Sequence, residues 1–277
     1  MAKQLKKYER IEKLREKLSK GEPSSGLWIQ LASPMSAEIM ADSGLDWVIV
    51  DSEHHPFNYE TLLNILLAFR GSDTVPMVRA PWNDKVMIKQ LLDMGFEGFL
   101  SPSTNSPEEA RNAVAACRYP PVGIRGAGWT RPGRYGRWSD IQDFIKSAND
   151  LIICAVQIES VGGAEQIEEI LKVEGLDWVM TGPADLSGTI RQDQLEDGEK
   201  HPFGNWNHPI VVNSVNKVIK AAKAAGVPAG SGVPIYDLAG MKAALERGDQ
   251  LIAVGADVPF LRMSVDNNLK LFAEATQ

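Results

Sequence analysis

Two carboxylates lie where the chain could bring them onto one cation, in the stretch from Gln157 to Asp185. It reads Gln-Ile-Glu at 157–159, then a run with helical spacing, then Trp-Val-Met-Thr-Gly-Pro-Ala-Asp at 178–185. Residues 151–158 are apolar and β-prone, so a period of two puts Gln157 and Glu159 on one side and Ile158 on the other. Residues 160–172 space Ala164, Ile167, Ile170 and Leu171 as a helix does, and 176–180 read as the next buried strand. In a parallel strand-helix-strand unit the two strand ends share a rim, and Glu159 and Asp185 can converge there on a divalent cation. The same two acids would also serve as caps of the helices that follow, so this unit alone does not decide.

The elements that would position these residues alternate along the whole chain. Strands are expected near 27–32, 46–51, 75–80, 97–101, 151–158, 176–181, 228–231 and 250–254. Helices are expected near 35–44, 58–70, 84–94, 106–117, 160–171, 209–225, 236–247 and 259–275. Eight strand-helix units in 277 residues predict a single (β/α)8 TIM barrel over 1–277, and no Gly-x-Gly-x-x-Gly follows the first strand to suggest a dinucleotide fold. Before the barrel, residues 3–20 place Leu5, Tyr8, Ile11, Leu14 and Leu18 three and four apart among Lys and Arg. That is an extra amphipathic N-terminal helix, read as a lid over the barrel's bottom or a subunit contact, with its basic face solvated.

On this scheme the polar residues collect at the carboxyl ends of strands. Asp51, Glu53 and His54 follow the second, Arg79 ends the third, Ser101 the fourth, Gln157 and Glu159 the fifth, and Thr181 to Asp185 follow the sixth. Barrel enzymes build their sites on that face, and neither Arg79 nor His54 has a capping role there, which favours a site over caps. Two long loops are expected on the same face. Residues 118–138 carry Arg118, Arg125, Arg131, Arg134 and Arg137 with Trp129, Tyr135 and Trp138, a composition suited to an anionic substrate. Residues 188–209 carry Asp193, Glu196, Asp197, Glu199, His201 and His208 at scattered spacings, read as a solvated loop.

Two carboxylates without thiolates or a paired-histidine motif suit a hard cation, Mg²⁺ or Mn²⁺ with Co²⁺ as a further candidate, holding waters and an oxygen-rich ligand. A 2-oxo acid chelates through its carboxylate and keto oxygen. The cation would then act as a Lewis acid on an enolate, Arg79 would bond where negative charge develops, and His54 would be the general base. His55 is read as packing or capping. Schiff-base chemistry needs a desolvated lysine; no lysine lies inside a predicted strand, and only Lys85 and Lys200 sit on the right rim.

Composition narrows the class. The formal charge is −7 and the pI about 5.2, with no clustered basic face for a nucleic acid. No apolar run is long enough for a membrane span, and the first thirty residues lack the apolar core of a signal peptide. Cys117 and Cys154 have no metal spacing and are too few for a disulfide framework, so a reducing cytoplasm is the expected setting.

Several stretches, spread over nearly the whole length, carry a resemblance. They are Gly26-Leu27-Trp28, Asp46-Trp47, Asp51-Ser52-Glu53-His54, Val78-Arg79, the run 88–95 (Ile-Lys-Gln-Leu-Leu-Asp-Met-Gly), the run 118–126 (Arg-Tyr-Pro-Pro-Val-Gly-Ile-Arg-Gly), Gln157-Ile158-Glu159, Val173-Glu174-Gly175 and the run 182–187 (Gly-Pro-Ala-Asp-Leu-Ser). The chain resembles the class II pyruvate aldolases of the HpcH/HpaI type. The resemblance implies a metal-dependent aldolase of 4-hydroxy-2-oxo acids acting on a 2-oxo acid and an aldehyde through a pyruvate enolate. It places the metal on Glu159 and Asp185, its waters on Asp51 and Glu53 with Gln157 nearby, and Arg79 on the keto acid. It makes His54 the acid/base, paired with Asp93, and lines the substrate with Trp28, Gly182, Pro183 and the backbone of Ala184. It further implies a homo-oligomer, a hexamer, with residues 259–275 exchanged between subunits. Two departures stand out: Ser52 where glycine is usual, and Ala-Gly-Trp-Thr-Arg-Pro-Gly-Arg-Tyr-Gly-Arg-Trp after Gly126 in place of Ala-Arg-Ala-Ser-Arg-Trp. The second leaves the aldehyde open, with Arg131 and Arg134 as its expected contacts. It also leaves open oxaloacetate decarboxylation or other enolate chemistry as in the macrophomate-synthase branch. A non-catalytic 2-oxo acid binding barrel is the remaining alternative.

Overall fold

The computed structural model describes residues 6–137 and 140–277; Leu5 and Trp138 lie outside them. Eight parallel strands close in sequence order into a barrel: β1 (Ser24–Ile29), β2 (Trp47–Asp51), β3 (Val75–Arg79), β4 (Gly98–Ser101), β5 (Ile153–Ile158), β6 (Trp178–Thr181), β7 (Ala229–Gly232) and β8 (Leu251–Ala256). Helices α2 (Pro34–Ala41), α3 (Tyr59–Ala68), α4 (Lys85–Met94) and α5 (Pro107–Cys117) follow the first four strands in turn. α10 (Pro209–Ala225) and α11 (Leu238–Arg247) follow β6 and β7, and α12 (Asp257–Ala275) closes the chain. The expected helix at 160–171 is two short ones, α7 (Val161–Glu165) and α8 (Ile167–Ile170), and α9 (Pro183–Gly188) is a six-residue turn after β6. A further helix, α6 (Ile141–Leu151), precedes β5 where the sequence reading had none.

Strand periodicity splits the apolar residues into two cores. One side of each strand meets the helices, as Val48, Val50, Val78, Cys154, Val156 and Val179 do. The other fills the barrel, with Trp47, Ile49, Val75, Met77, Leu100, Ile153, Ala155, Trp178, Met180 and Leu251 packed together. Trp47 and Trp178 meet at a tilt, centroids 6.0 Å apart. A Cβ on Gly26 would fall about 2.1 Å from the Trp47 ring, so only glycine lets that indole lie across β1.

The lid is α1 (Lys6–Ser19), whose Ile11, Leu14 and Leu18 plug the N-terminal end of the barrel. Its basic side chains are not simply solvated, as the sequence reading had them. A carboxylate precedes each even strand (Asp46, Glu97, Asp177 and Asp249), and α1 reaches three of these. Lys17 bonds Asp46 at 2.8 Å, Arg10 forks onto both Glu97 oxygens at 2.5 and 2.7 Å, and Arg15 meets Asp177 at 2.8 Å. Arg247 takes Asp249 at 2.7 Å. The partners of α1 lie far away in sequence, which is why helical periodicity alone does not reveal them.

The loop 118–137 is at this same end, and the expectation that it shares a face with the strand-end acids is overturned. It joins α5 to α6, and a chain that has just descended a barrel helix emerges at the strands' N-terminal side. Arg118 bonds Asp177 at 2.9 Å and Arg131 donates to the Met94 carbonyl at 3.1 Å, both at strand-start level.

The Arg10–Glu97 pair is fully inside, with a further Arg10 donor on the Phe69 and Ser72 carbonyls. Glu97→Ala should therefore cost about 3–5 kcal/mol, because it strands a buried guanidinium. Urea unfolding of the variant against wild type measures this.

Candidate active site

Inward-facing residues, counted by twos, change from apolar to polar at the top of the barrel. β2 runs Trp47, Ile49, Asp51; β3 runs Val75, Met77, Arg79; β5 runs Ile153, Ala155, Gln157 and continues to Glu159. Asp51 and Arg79 are register partners across β2 and β3. Arg79 Nε donates to Asp51 Oδ1 at 3.0 Å and its Nη2 sits 2.9 Å from Oδ2. Its Nη1 donates to Gln157 Oε1 at 3.3 Å, its Nε lies 3.1 Å from Glu53 Oε2, and its guanidinium covers the Trp28 ring at 4.5 Å. One buried guanidinium thus organises four of the expected site residues.

Asp51 is 1% exposed. Burial pushes its carboxyl up, but hydrogen bonds and charge from Arg79, with His55 and His54 adding, hold it below the usual carboxylate range. His55, expected merely to pack or cap, hydrogen-bonds Asp51 Oδ2 through Nδ1 at 3.0 Å. His54 is more open, with Nε2 3.7 Å from Glu53 Oε2. Glu53 is raised above its ordinary value by burial first, then by the charges of Glu159 and Asp51 against the pull of Arg79 and His54.

Glu159, just past β5, is buried. Its Oε1 accepts from the Ser103 N–H at 2.6 Å and the Ser103 hydroxyl at 3.0 Å, whereas Oε2 is buried with no partner. Burial raises its carboxyl above the ordinary range, with Asp185 adding to the rise and Ser103 and Arg79 opposing it. Ser103 holds a left-handed φ of 47°, a costly conformation for a non-glycine residue, and both its donors are thereby aimed at Glu159. Nothing in the sequence marks that backbone. Gly182 gives Glu159 its space: a Cβ there would fall 2.6 Å from Oε2 and 2.8 Å from Gln157 Nε2. Pro183 then opens α9, whose first-turn N–H groups, Ala184 among them, have no intrahelical acceptor. Asp185 lies on that turn, exposed.

Glu53, His54, Glu159 and Asp185 share one cavity of about 350 Å³ with Ser103, Asn105 and Phe203. Among the described residues no cluster of three or more His, Cys, Asp or Glu side chains is arranged to hold a metal. The donor set is Glu159, whose Oε2 is orphaned, and Asp185 in the same cavity, and it fits a hard cation that takes its remaining ligands from water and substrate.

The remaining expected residues lie elsewhere in the chain. Asp93, on α4, is bonded to Arg125 at 2.7 Å and makes no contact with His54. Arg131 and Arg134 line a separate cavity with Arg10 and Glu97, at the opposite end of the barrel, so within one chain they do not reach the strand-end site. In the loop 188–209, His201 bonds the Ile190 carbonyl and His208 caps α10 while bonding Glu199, which makes both structural.

A β/α barrel with an arginine among acids on its C-terminal rim is an enzyme architecture built to stabilise negative charge on a small substrate. The chain belongs to the HpcH/HpaI aldolase/citrate lyase family, matching it over residues 24–263. It is a carbon–carbon lyase. A 4-hydroxy-2-oxo-heptane-1,7-dioate aldolase of Salmonella dublin is 41% identical over 247 residues, 89% of each chain. An HpcH/HpaI aldolase/citrate lyase family protein from Burkholderia cenocepacia J2315 superposes with TM-score 0.84 at 31% identity, over 94% of this chain and 99% of its own. Macrophomate synthase superposes at 0.80 with 26% identity, over 96% of this chain and 89% of its own.

A buried carboxylate with an unpartnered oxygen is destabilising unless a ligand meets it. Glu159→Gln should raise the stability of the metal-free protein by about 1 kcal/mol, a shift of about 2–4 °C in Tm for a chain of this size. Thermal unfolding in the presence of chelator reads the difference; an unchanged or lowered Tm would show that Oε2 is satisfied in solution.

Proposed function

We propose that this enzyme forms and cleaves 4-hydroxy-2-oxo acids, with pyruvate as the nucleophilic half, and that Glu159 and Asp185 hold a divalent cation, Mg²⁺ or Mn²⁺ with Co²⁺ as a further candidate. The observation that carries the reading is the buried, unpartnered Glu159 Oε2 beside Asp185 and within the field of Arg79. When bound, the cation supplies Lewis acidity at the 2-oxo group.

The chain's own residues do the rest. Arg79, locked by Asp51, Glu53, Gln157 and Trp28, presents charge-assisted donors where the keto oxygen gains negative charge, and its rigidity removes the cost of reorganising at that moment. The α9 turn offers the backbone N–H of Ala184 to the substrate carboxylate, since Pro183 has none and that of Gly182 donates to the Ile158 carbonyl at 3.0 Å. In the cleavage direction His54 removes the proton from the C4 hydroxyl as the C3–C4 bond breaks. The electron pair of that bond becomes the pyruvate enolate, and the aldehyde leaves; a proton delivered to C3 then gives pyruvate. The synthetic direction reverses each step. Asp51 and Glu53 orient waters around the acids. No lysine lines the strand-end cavity among the described residues, which supports enolate over Schiff-base chemistry.

The pairing of His54 with Asp93 is absent within one chain, and we assign it to a contact between copies. α12 supports such an assembly. Leu261, Val265, Leu269 and Phe272 repeat four, four and three residues apart along it and are 51–68% exposed, an apolar stripe with no cover in a single chain. Exchange of this helix between subunits, in a homo-oligomer reaching a hexamer, would bury it.

Glu159→Ala or Asp185→Ala should abolish both turnover and Mn²⁺ binding. His54→Ala should lower the rate of cleavage about 10²–10⁴-fold while Mn²⁺ and pyruvate still bind. Coupled assay of pyruvate release from a 4-hydroxy-2-oxo acid, alongside calorimetric titration, checks both. Full activity after exhaustive chelation, or borohydride trapping of pyruvate on a lysine, would overturn the reading.

Truncation after Asp257 should yield dissociated or insoluble protein. Sedimentation velocity decides this, and a full-length chain that sediments as a monomer contradicts it.

A further inference from the structure

The N-terminal end of the barrel carries a second cavity, of about 530 Å³, separate from the strand-end one. Arg10, Arg70, Arg131, Arg134 and Arg137 line it, and Glu97 is its one carboxylate. Glu97 is already committed to Arg10, which closes a fork on both its oxygens. Among the described residues Arg70, Arg134 and Arg137 make no ion pair or side-chain hydrogen bond, and the only partner of the Arg131 guanidinium is the Met94 carbonyl.

Such a concentration of unanswered charge stands out in a chain with a net charge of −7. Burial pulls the Arg131 guanidinium below its ordinary value; Tyr135 and Glu97 oppose this and the neighbouring Arg70 and Arg10 add to it, so the cluster's charge is only partly offset. The packing nevertheless favours the arginine there. Gly95 has φ 105°, and a Cβ on it would lie 2.9 Å from Arg131 Nη1, so its bare backbone is the surface on which that guanidinium rests. Arg134 and Tyr135 both adopt left-handed backbone, φ 51° and 56°, followed by Gly136 at 83°. Two successive non-glycine residues in that region are strained, and the turn they make sets Arg134 on the cavity wall.

We infer that this cavity is a binding site for a small polyanion, a phosphate ester or a polycarboxylate, gripped by Arg70, Arg131 and Arg134 at the end of the barrel opposite the lyase site. The volume is that of a small-molecule site, and guanidinium forks match phosphate and carboxylate oxygens two at a time. Occupancy ties the loop 131–137 to the turn after α3 through Arg70 and adds counter-charge beside Arg131.

The test is calorimetric titration of the full-length, chelator-treated protein with inorganic phosphate and, separately, tricarballylate, at about 0.15 M salt so that diffuse attraction is screened. Wild type should bind one of these probes saturably, with one site per chain; the probe preferred tells a phosphate ester from a polycarboxylate. The Arg70→Ala/Arg134→Ala double variant should weaken that binding by about tenfold or more, since each lost fork removes a charge-assisted contact. Neither side chain bonds to the fold, so the variant should unfold at the wild-type temperature. Arg79→Ala, which alters only the strand-end site, should keep the affinity. No saturable binding of either probe, undiminished binding in the double variant, or loss in Arg79→Ala each overturns the assignment. So does a double variant with unchanged probe affinity but altered sedimentation, which would mean that the arginines meet another protein surface.

Discussion

Burial of Asp51 against Arg79 is the constraint on which the rest of the site depends. Two charges taken out of water cost several kcal/mol each, and their attraction repays this only with good geometry and further bonds. The β2–β3 register supplies the geometry by setting the two residues opposite each other. Gln157, Glu53 and the face of Trp28 take up what remains of the guanidinium. The result is a cation fixed from four sides at the C-terminal rim of the barrel. Catalytic gain of this kind comes from donors that need not move, and a pair of this depth is better understood as positioning than as stability.

The two ends of the barrel solve their electrostatics in opposite ways. At the bottom, each carboxylate preceding an even strand is matched by a basic side chain, three of them from α1. At the top, Asp51, Glu53, Glu159 and Asp185 face the single guanidinium of Arg79, with His54 and His55 at the edge. Burial raises Glu53 and Glu159 above their ordinary range, and the neighbouring carboxylates add to the rise. The chain places the satisfied pairs where they hold the fold and leaves the unsatisfied oxygen where a ligand can reach it.

Much of this was legible in the sequence because strands write a period of two. Trp47-x-Ile49-x-Asp51 and Ile153-x-Ala155-x-Gln157-x-Glu159 show the change from apolar to polar layer directly, and the Gly-Pro-Ala-Asp turn marks where β6 ends. What stayed hidden was non-local or conformational. The left-handed Ser103 that grips Glu159 has no compositional sign, and the His55–Asp51 bond depends on how the loop after β2 folds back. The arginines of 118–137 looked like substrate contacts because composition reports charge and not direction. Their place follows from topology instead: a segment between a barrel helix and the next strand emerges at the strand starts. Had α6 been recognised in 141–151, that segment would have read as two connections at the lower rim.

The same topology bears on the last helix. Every helix from α2 to α11 packs against the barrel or its neighbours, but α12 leaves β8 with Asp257 buried and little else covered. Asp257 accepts from the N–H groups of Gln30 and Leu31 and from the Ser36 hydroxyl, so the start of the helix is fixed to the loop after β1. A helix anchored at one end and apolar along its length does not gain enough from water to stand alone. Since its anchor adjoins the loop that follows Trp28, a subunit covering α12 in the proposed assembly would also approach the rim where Arg79 is held. The proposed assembly would therefore be coupled to site geometry through β1, and the stiffness of that strand end would decide how far the one disturbs the other.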